Sequence, residues 1–325
     1  MTKKRVGVIG TFVWDTIYGR DPMVAPVEEW GGVTYALGGL DAALSEEWEI
    51  VPIAKVGSDL APRAREFLST LKRIAPDAAL VEVPYPNNRV ALYYQSAERR
   101  CEKLTGGVPG WTWPALQPLI AGLRLDALYV NFLSGWELDI ETAQLLRQHF
   151  RGPIYCDLHM LVMAVQADGM RTPKPLPNAG EWCRCFDLLQ MNEDEVGMMA
   201  PDPMALAATA LSAGVRNLIV TMGSRGAVYF AAPDFESLAD LDTPRPLGAT
   251  LGPVRTSLVP AEKLSVDGDP TGCGDVWGAS YFSRLLAGDT LSVAMRAAHR
   301  AAARNVEYRG ATGLSRHLRR ELITG

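Results

Sequence analysis

Apolar positions follow two periods along this chain. Arg5–Gly10, Ile50–Val56, Ala127–Phe132, Pro153–Asp157, Leu188–Met191 and Asn217–Met222 are short, nearly continuous apolar runs, the pattern of strands covered on both faces. Between them, Ile140–Phe150, Glu193–Met199 and Met204–Ala213 repeat their apolar residues at helical spacing. Strand–helix alternation of this kind predicts an α/β fold, with a mainly parallel central sheet and helices on both faces. Ligand residues in such sheets lie just past the carboxyl ends of the strands. Asn131 and Ser134, Asp157 and His159, and Asn192 and Glu195 occupy such places. His159 is read as a satisfied loop histidine rather than a ligand.

Other stretches break the alternation. The small residues of LGGLDAAL, after Trp30–Ala36, suit a helix packed tightly against the sheet, and Pro62 to about Ile74 reads as a surface helix of mixed charge. Val90–Tyr94 and Glu98–Glu102 read as two strands of a hairpin outside the main sheet. No linker rich in Gly, Ser or Pro separates them, so residues 1–325 are expected to form a single domain with an elaboration. Ala231–Pro253 is loop-like, and Leu291–Val306 is a helical run.

Composition narrows the function. The chain of 325 residues is 48% hydrophobic and 21% charged, within the range of soluble globular proteins. Its 32 Lys and Arg against 37 Asp and Glu give a net charge of −5, which implies neither a nucleic-acid partner nor an anionic membrane. Any anion site must be local. No apolar run approaches the roughly 20 residues of a membrane span, and MTKKRVGVIGTF enters a strand without a leader pattern, so a cytoplasmic protein is expected. The five irregularly spaced cysteines are expected to be free thiols.

The chemistry concentrates in Leu264–Gly288, LSVDGDPTGCGDVWGASYFSRLLAG. A glycine-rich turn there opens a helix whose Val276, Trp277, Ala279, Phe282, Leu285 and Leu286 recur at helical spacing. Helix-start amides lack intrahelical partners and sit at the positive end of the aligned peptide dipoles, so Thr271–Asp275 is a candidate anion site. Asp275 suits such a site if a hydroxyl must lose its proton while attacking phosphorus. The spacing alone is equally that of an ordinary Asp-bearing helix start. Arg5–Gly10 ends in Gly without a following G-x-G-x-x-G, which sets a dinucleotide fold aside.

The run D-P-T-G-C-G-D before an apolar helix resembles the second signature of the ribokinase-like (PfkB) carbohydrate kinases, D-T-x-G-A-G-D. Asp269, Thr271, Gly272, Gly274 and Asp275 fall on family positions, and Pro270 and Cys273 depart from them. Three further stretches resemble family motifs in the same order: Trp30-Gly31-Gly32, Asn192-x-x-Glu195 and Val220-Thr221-x-Gly223-x-x-Gly226. Val56-Gly57-Ser58-Asp59 matches V-G-x-D, and the run ending at Ala311 resembles the family's closing segment.

The resemblance implies a three-layer ribokinase-like fold with a small β lid, its strands around 12–35 and 81–104. It makes Asp275 the catalytic base and the Gly272–Cys273–Gly274 amides an anion hole. Asp15, Gly31, Gly32, Asn131 and Arg89 are assigned to the acceptor. Arg89, Tyr93, Arg99 and Arg100 could equally be exposed edge-strand residues. Asn192, Thr221, Gly223, Gly226 and His299 are assigned to the nucleotide, and Glu195 with Asn192 to Mg²⁺ through water. The cofactors implied are ATP and Mg²⁺, with room for a monovalent cation such as K⁺, and the lid offers a route to a homodimer. The expected activity is transfer of the γ-phosphoryl group to a hydroxyl of a sugar or nucleoside. Two alternatives are a kinase of a heterocyclic alcohol, which would not need Asp15, and a non-catalytic sugar or nucleotide sensor, against which the retained Asp275 argues.

Overall fold

The computed structural model describes residues 2–18, 23, 25–94, 100–242, 252–261 and 268–321. Arg99, Leu264–Asp267 and part of the Ala231–Pro253 loop lie outside the described residues, as does the side chain of Arg100. The chain begins β1 (Lys4–Tyr18), β2 (Val27–Gly32), α1 (Val33–Ala43), β3 (Trp48–Gly57), α2 (Ala61–Ser69), β4 (Ala79–Val83), β5 (Asn88–Tyr94) and β6 (Arg100–Thr105). It continues α3 (Trp113–Gly122), β7 (Ala127–Asn131), α4 (Ile140–His149), β8 (Ile154–Asp157), β9 (Met163–Val165), β10 (Arg171–Pro173), α5 (Ala179–Cys183) and β11 (Leu188–Asn192). The last third holds α6 (Glu193–Met199), α7 (Pro203–Ala213), β12 (Asn217–Thr221), β13 (Ala227–Ala231), β14 (Arg255–Val259), α8 (Cys273–Leu286), α9 (Leu291–Val306) and α10 (Leu314–Leu318).

The main sheet runs β14-β13-β12-β11-β8-β7-β1-β3-β4, parallel from β12 to β4 and antiparallel at β13 and β14. Alternate residues of its central strands feed two separate cores. Val6, Val8, Ile50 and Tyr129 pack with α1, α8 and α9 on one face, whereas Ile9, Val51 and Leu128 pack with α3, α4 and α7 on the other. Burial on both faces is the reason these strands lack a polar alternation.

The sequence places a strand over Arg5–Gly10, but β1 continues through Asp15 to Tyr18. Lys4–Thr11 pair with β3, and from Phe12 the strand leaves that sheet to pair with β2 antiparallel and β5 parallel. The β-branched and aromatic residues of its second half suit this continuation, and Val13, Ile17, Val90, Leu92 and Leu104 form a small core of their own there. β6 completes this second sheet antiparallel to β5. The helix expected over Pro62–Ile74 ends at Ser69, because Ile50 draws the following chain into β-like pairing: its amide donates to the Arg73 carbonyl and its carbonyl accepts from Ala75. α1 packs chiefly on α8 rather than on the sheet. A Cβ at Gly39 would lie 2.8 Å from that of Ala279, so the small residues of α1 serve a helix–helix contact.

Candidate active site

The turn before α8 is shaped by Gly272, whose φ of +76° is a left-handed conformation that favours glycine. A Cβ on Gly272 would also lie 2.1 Å from Cδ1 of Tyr35, so the buried Tyr35 ring closes against this turn. Thr271 donates its amide to Asp269 Oδ1 at 2.9 Å, and Asn305 Nδ2 donates to the Thr271 carbonyl at 2.8 Å. Asn305 also approaches Cys273 Sγ at 3.3 Å, and burial, partly offset by that contact, raises the Cys273 thiol to about 11. Cys273 Sγ packs between Asn305 and the Ala302 carbonyl, 3.5 Å away. Asp275 lies in the first turn of α8, where Asn131 Nδ2, from the end of β7, donates to its Oδ1 at 2.6 Å.

Asp275, Gly272 and Thr271 share one pocket with Asp15, Gly32 and Tyr35. Asp15 is 7% exposed, and its carboxylate lies over Gly31, where a Cβ would come within 1.9 Å of Oδ2. Gly31 is thus the residue that makes room for Asp15. The Tyr35 hydroxyl titrates well above its ordinary range because it is buried and faces the charges of Asp15, Asp269, Glu29 and Asp275. Val13, Val90 and Leu92 of the small sheet supply apolar wall.

The sequence reading missed another wall of this pocket. Arg171 of β10 donates from Nη1 to Glu102 Oε2 of β6 at 2.9 Å and from Nη2 to the Leu133 carbonyl at 2.8 Å. Both side chains of the pair are under 10% exposed. Leu104 N also donates to the Gly169 carbonyl at 2.8 Å, so the β9–β10 hairpin is stitched to the second sheet. Residues 69 apart in sequence leave no local pattern that joins them.

At the strand ends beside the pocket, Asn192 and Glu195 cap α6 reciprocally. Glu195 N donates to Asn192 Oδ1 at 2.9 Å, and Asn192 N donates to Glu195 Oε2 at 2.8 Å. His159, expected to be a satisfied loop histidine rather than a ligand, places Nδ1 3.0 Å from Glu195 Oε1 and also lines the pocket. Burial lowers the His159 basicity, but the bond to Glu195 and the charges of Glu195, Asp157 and Asp275 outweigh it and raise the ring to about 9. Asp157 is pushed well above the carboxylate range by burial and by the charges of Glu195 and Asp275, against the opposing charge of His159. Among the described residues no group of three or more His, Cys, Asp or Glu side chains forms a metal cage. Glu195 and Asn192 nonetheless suit Mg²⁺ held through water, since both offer hard oxygens and Glu195 Oε2 keeps a lone pair beyond its one amide bond.

Thr221 stands in register beside Asn192, so the two predicted nucleotide motifs are neighbours across β11 and β12. Gly226, at φ +105°, lets β14 approach, because a Cβ there would lie 2.2 Å from the Val259 carbonyl oxygen. Gly223 also has a left-handed φ, +55°, and among the described residues nothing would meet a Cβ there within 4 Å. His299 is buried, with Nδ1 accepting from Trp277 Nε1 at 3.0 Å and Nε2 at 3.0 Å from the Val259 carbonyl. Its proton is on Nε2, and the ring ties α8, α9 and β14 together. Arg89 does not line the pocket among the described residues: it is half-buried and pairs with Asp59 at 2.7 Å.

The fold is shared with solved ribokinase-family structures. It is similar to a nucleoside kinase from Burkholderia thailandensis in complex with inosine, at 15% identity and a TM-score of 0.69 over 95% of this chain and 94% of that one. It resembles a ribokinase from Arabidopsis thaliana complexed with ribose and ATP, at 16% identity and TM-score 0.68 over 98% of each chain. A pyrophosphate-dependent kinase in the ribokinase family aligns at 14% identity and TM-score 0.71, over 98% of this chain and 99% of that one. No curated protein matches the chain by sequence. Residues 145–317 match the model of the pfkB family carbohydrate kinases, and the chain belongs to that family. Among the described residues no helix is long and apolar enough to cross a membrane.

Proposed function

We propose that this protein is an ATP-dependent kinase that transfers the γ-phosphoryl group to a hydroxyl of a sugar or nucleoside. The observation that carries the reading is the pocket shared by Asp275, at the glycine-turned start of α8, and the buried carboxylate of Asp15. Asp15 accepts hydrogen bonds from acceptor hydroxyls, and Asp275 takes the proton of the hydroxyl that attacks phosphorus. Asn131 aims that carboxylate. The amides of Gly272, Cys273 and Gly274, at the positive end of α8, stabilise charge on the transferring group. Mg²⁺, when bound, neutralises phosphate charge, with Glu195 and Asn192 ordering its water.

The small sheet β2-β1-β5-β6 serves as a lid that excludes water, and it belongs to the same domain because β1 runs through both sheets. The stacked, exposed Tyr18 and Tyr93 on it, with centroids 4.8 Å apart, support pairing of two lids in a homodimer, which sedimentation checks. The deciding experiment supplies a panel of sugars, nucleosides and hydroxymethyl heterocycles with either ATP or pyrophosphate and follows phosphorylated product. Transfer from ATP to a sugar or nucleoside supports the proposal. Turnover of heterocycles alone, or pyrophosphate as sole donor, replaces the acceptor or the donor respectively, and binding without transfer makes the chain a sensor.

A further inference from the structure

Three polar side chains stand in one row under the start of α8. Asn131 of β7 is in register with Asp157 of β8, and Asp157 with Gln190 of β11. Partners in register point to the same face of a sheet, here the face that carries α8. Asn131 holds the Asp275 carboxylate, as described above. Gln190, only 3% exposed, donates from Nε2 to Asp157 Oδ2 at 3.0 Å and to the Gly274 carbonyl at 3.1 Å. Its Oε1 accepts from the hydroxyl of Tyr155, which turns Nε2 toward the helix.

Gly278 makes this arrangement possible. A Cβ there would fall 2.5 Å from the Tyr155 hydroxyl, 2.7 Å from Gln190 Oε1 and 2.8 Å from the Tyr129 hydroxyl. The carbonyl of Gly274 and the amide N–H of Asp275 belong to one peptide plane. A donor on the carbonyl therefore fixes the direction of the N–H beyond it and polarises it. That N–H lies in the first turn, where the transferring phosphoryl group would be held.

We infer that Gln190 is a positioning residue for phosphoryl transfer: by gripping the Gly274–Asp275 peptide it sets the aim of the Asp275 N–H and of the backbone that carries the Asp275 carboxylate. The inference rests on the kinase reading above. A side chain that only filled the core would change stability alone, whereas one that aims the peptide changes the chemical step. Small misplacements of reacting groups are costly to rate without altering substrate affinity.

The test compares the full-length parent with Gln190→Met, which keeps length and loses the hydrogen bonds, and with Tyr155→Phe, which keeps the amide but frees it to rotate. For each, kcat, acceptor KM, ADP affinity and melting temperature are measured. The expected result for Gln190→Met is a fall in kcat of roughly 10- to 100-fold with acceptor KM and ADP affinity within about threefold of the parent. Tyr155→Phe should show a smaller fall of the same kind. A folded Gln190→Met with parental kcat, or with KM rising as kcat falls, overturns the inference and leaves the kinase reading intact. A parent chain inactive toward every acceptor overturns that reading and this inference together.

Discussion

Asn131 donates its side-chain amide to Oδ1 of Asp275 at 2.6 Å across 144 residues of sequence, and among the described residues its own Oδ1 has no hydrogen-bond partner. A carboxylate that must accept a proton from a substrate gains from a donor that fixes its orientation. Asp275→Asn should retain fold and nucleotide binding and lower kcat by roughly 10²–10⁴-fold. Asn131→Ala should lower kcat by about tenfold or more while acceptor KM stays nearly constant. Steady-state kinetics on both variants check this, and parental kcat in Asp275→Asn removes the base assignment.

Asp15 and Gly31 should behave as one unit. Loss of the carboxylate in Asp15→Ala should weaken acceptor binding by about 1.5–3 kcal/mol, the scale of hydrogen bonds to a charged group. Gly31→Ala should do comparable damage by displacing the carboxylate rather than removing it, since the added Cβ falls 1.9 Å from Asp15 Oδ2. Calorimetric titration of the acceptor measures both. Unchanged affinity in both variants would favour the heterocyclic-alcohol reading.

Glu195 is expected to act on Mg²⁺ and not on the acceptor. Glu195→Gln should raise the Mg²⁺ concentration giving half-maximal activity and leave acceptor affinity near the parental value. A Mg²⁺ titration with unchanged midpoint contradicts this assignment.

His159 gives the folded chain a pH signature. Its folded-state pKa, about 9, is raised above the ordinary 6.5 by Glu195 and the neighbouring carboxylates, against the opposing effect of burial. The imidazolium stabilises the fold, so its contribution is fully present below about pH 6.5 and is lost as pH rises through about 9. In metal-free buffer, the stability of the parent relative to His159→Gln should decline between these limits. A flat difference from pH 6 to 9.5 refutes the coupling.

The Glu102–Arg171 pair should hold the second sheet to the β9–β10 hairpin. Truncation of one partner of a buried pair leaves a charge in low dielectric, and Arg171→Met should destabilise the chain by about 3–5 kcal/mol. Glu102→Gln in the same chain should recover part of that loss. Denaturant unfolding of the two single variants and the double variant gives the coupling energy, and simple additivity would show that the pair is not coupled.

The sequence by itself determined the parts of this protein governed by short-range rules. Continuous apolar runs alternating with helical periods specify a two-sided parallel sheet, and a glycine turn ahead of an apolar helix specifies the start of α8. The Asn192–Glu195 cap is legible too, because both partners lie within one helical turn. Only the tertiary structure decided which distant side chains meet. Asn131 reaches Asp275 because β7 ends beneath α8, and Gln190 reaches Gly274 because β11 lies two strands away in the same sheet. Arg171 reaches Glu102 through a hairpin with no periodic signal, while Arg89, just as plausible by sequence, turns to Asp59 instead. Hydrophobic patterning selects the face on which a residue lies, but the partner of a polar side chain depends on strand order and register, which no local pattern encodes.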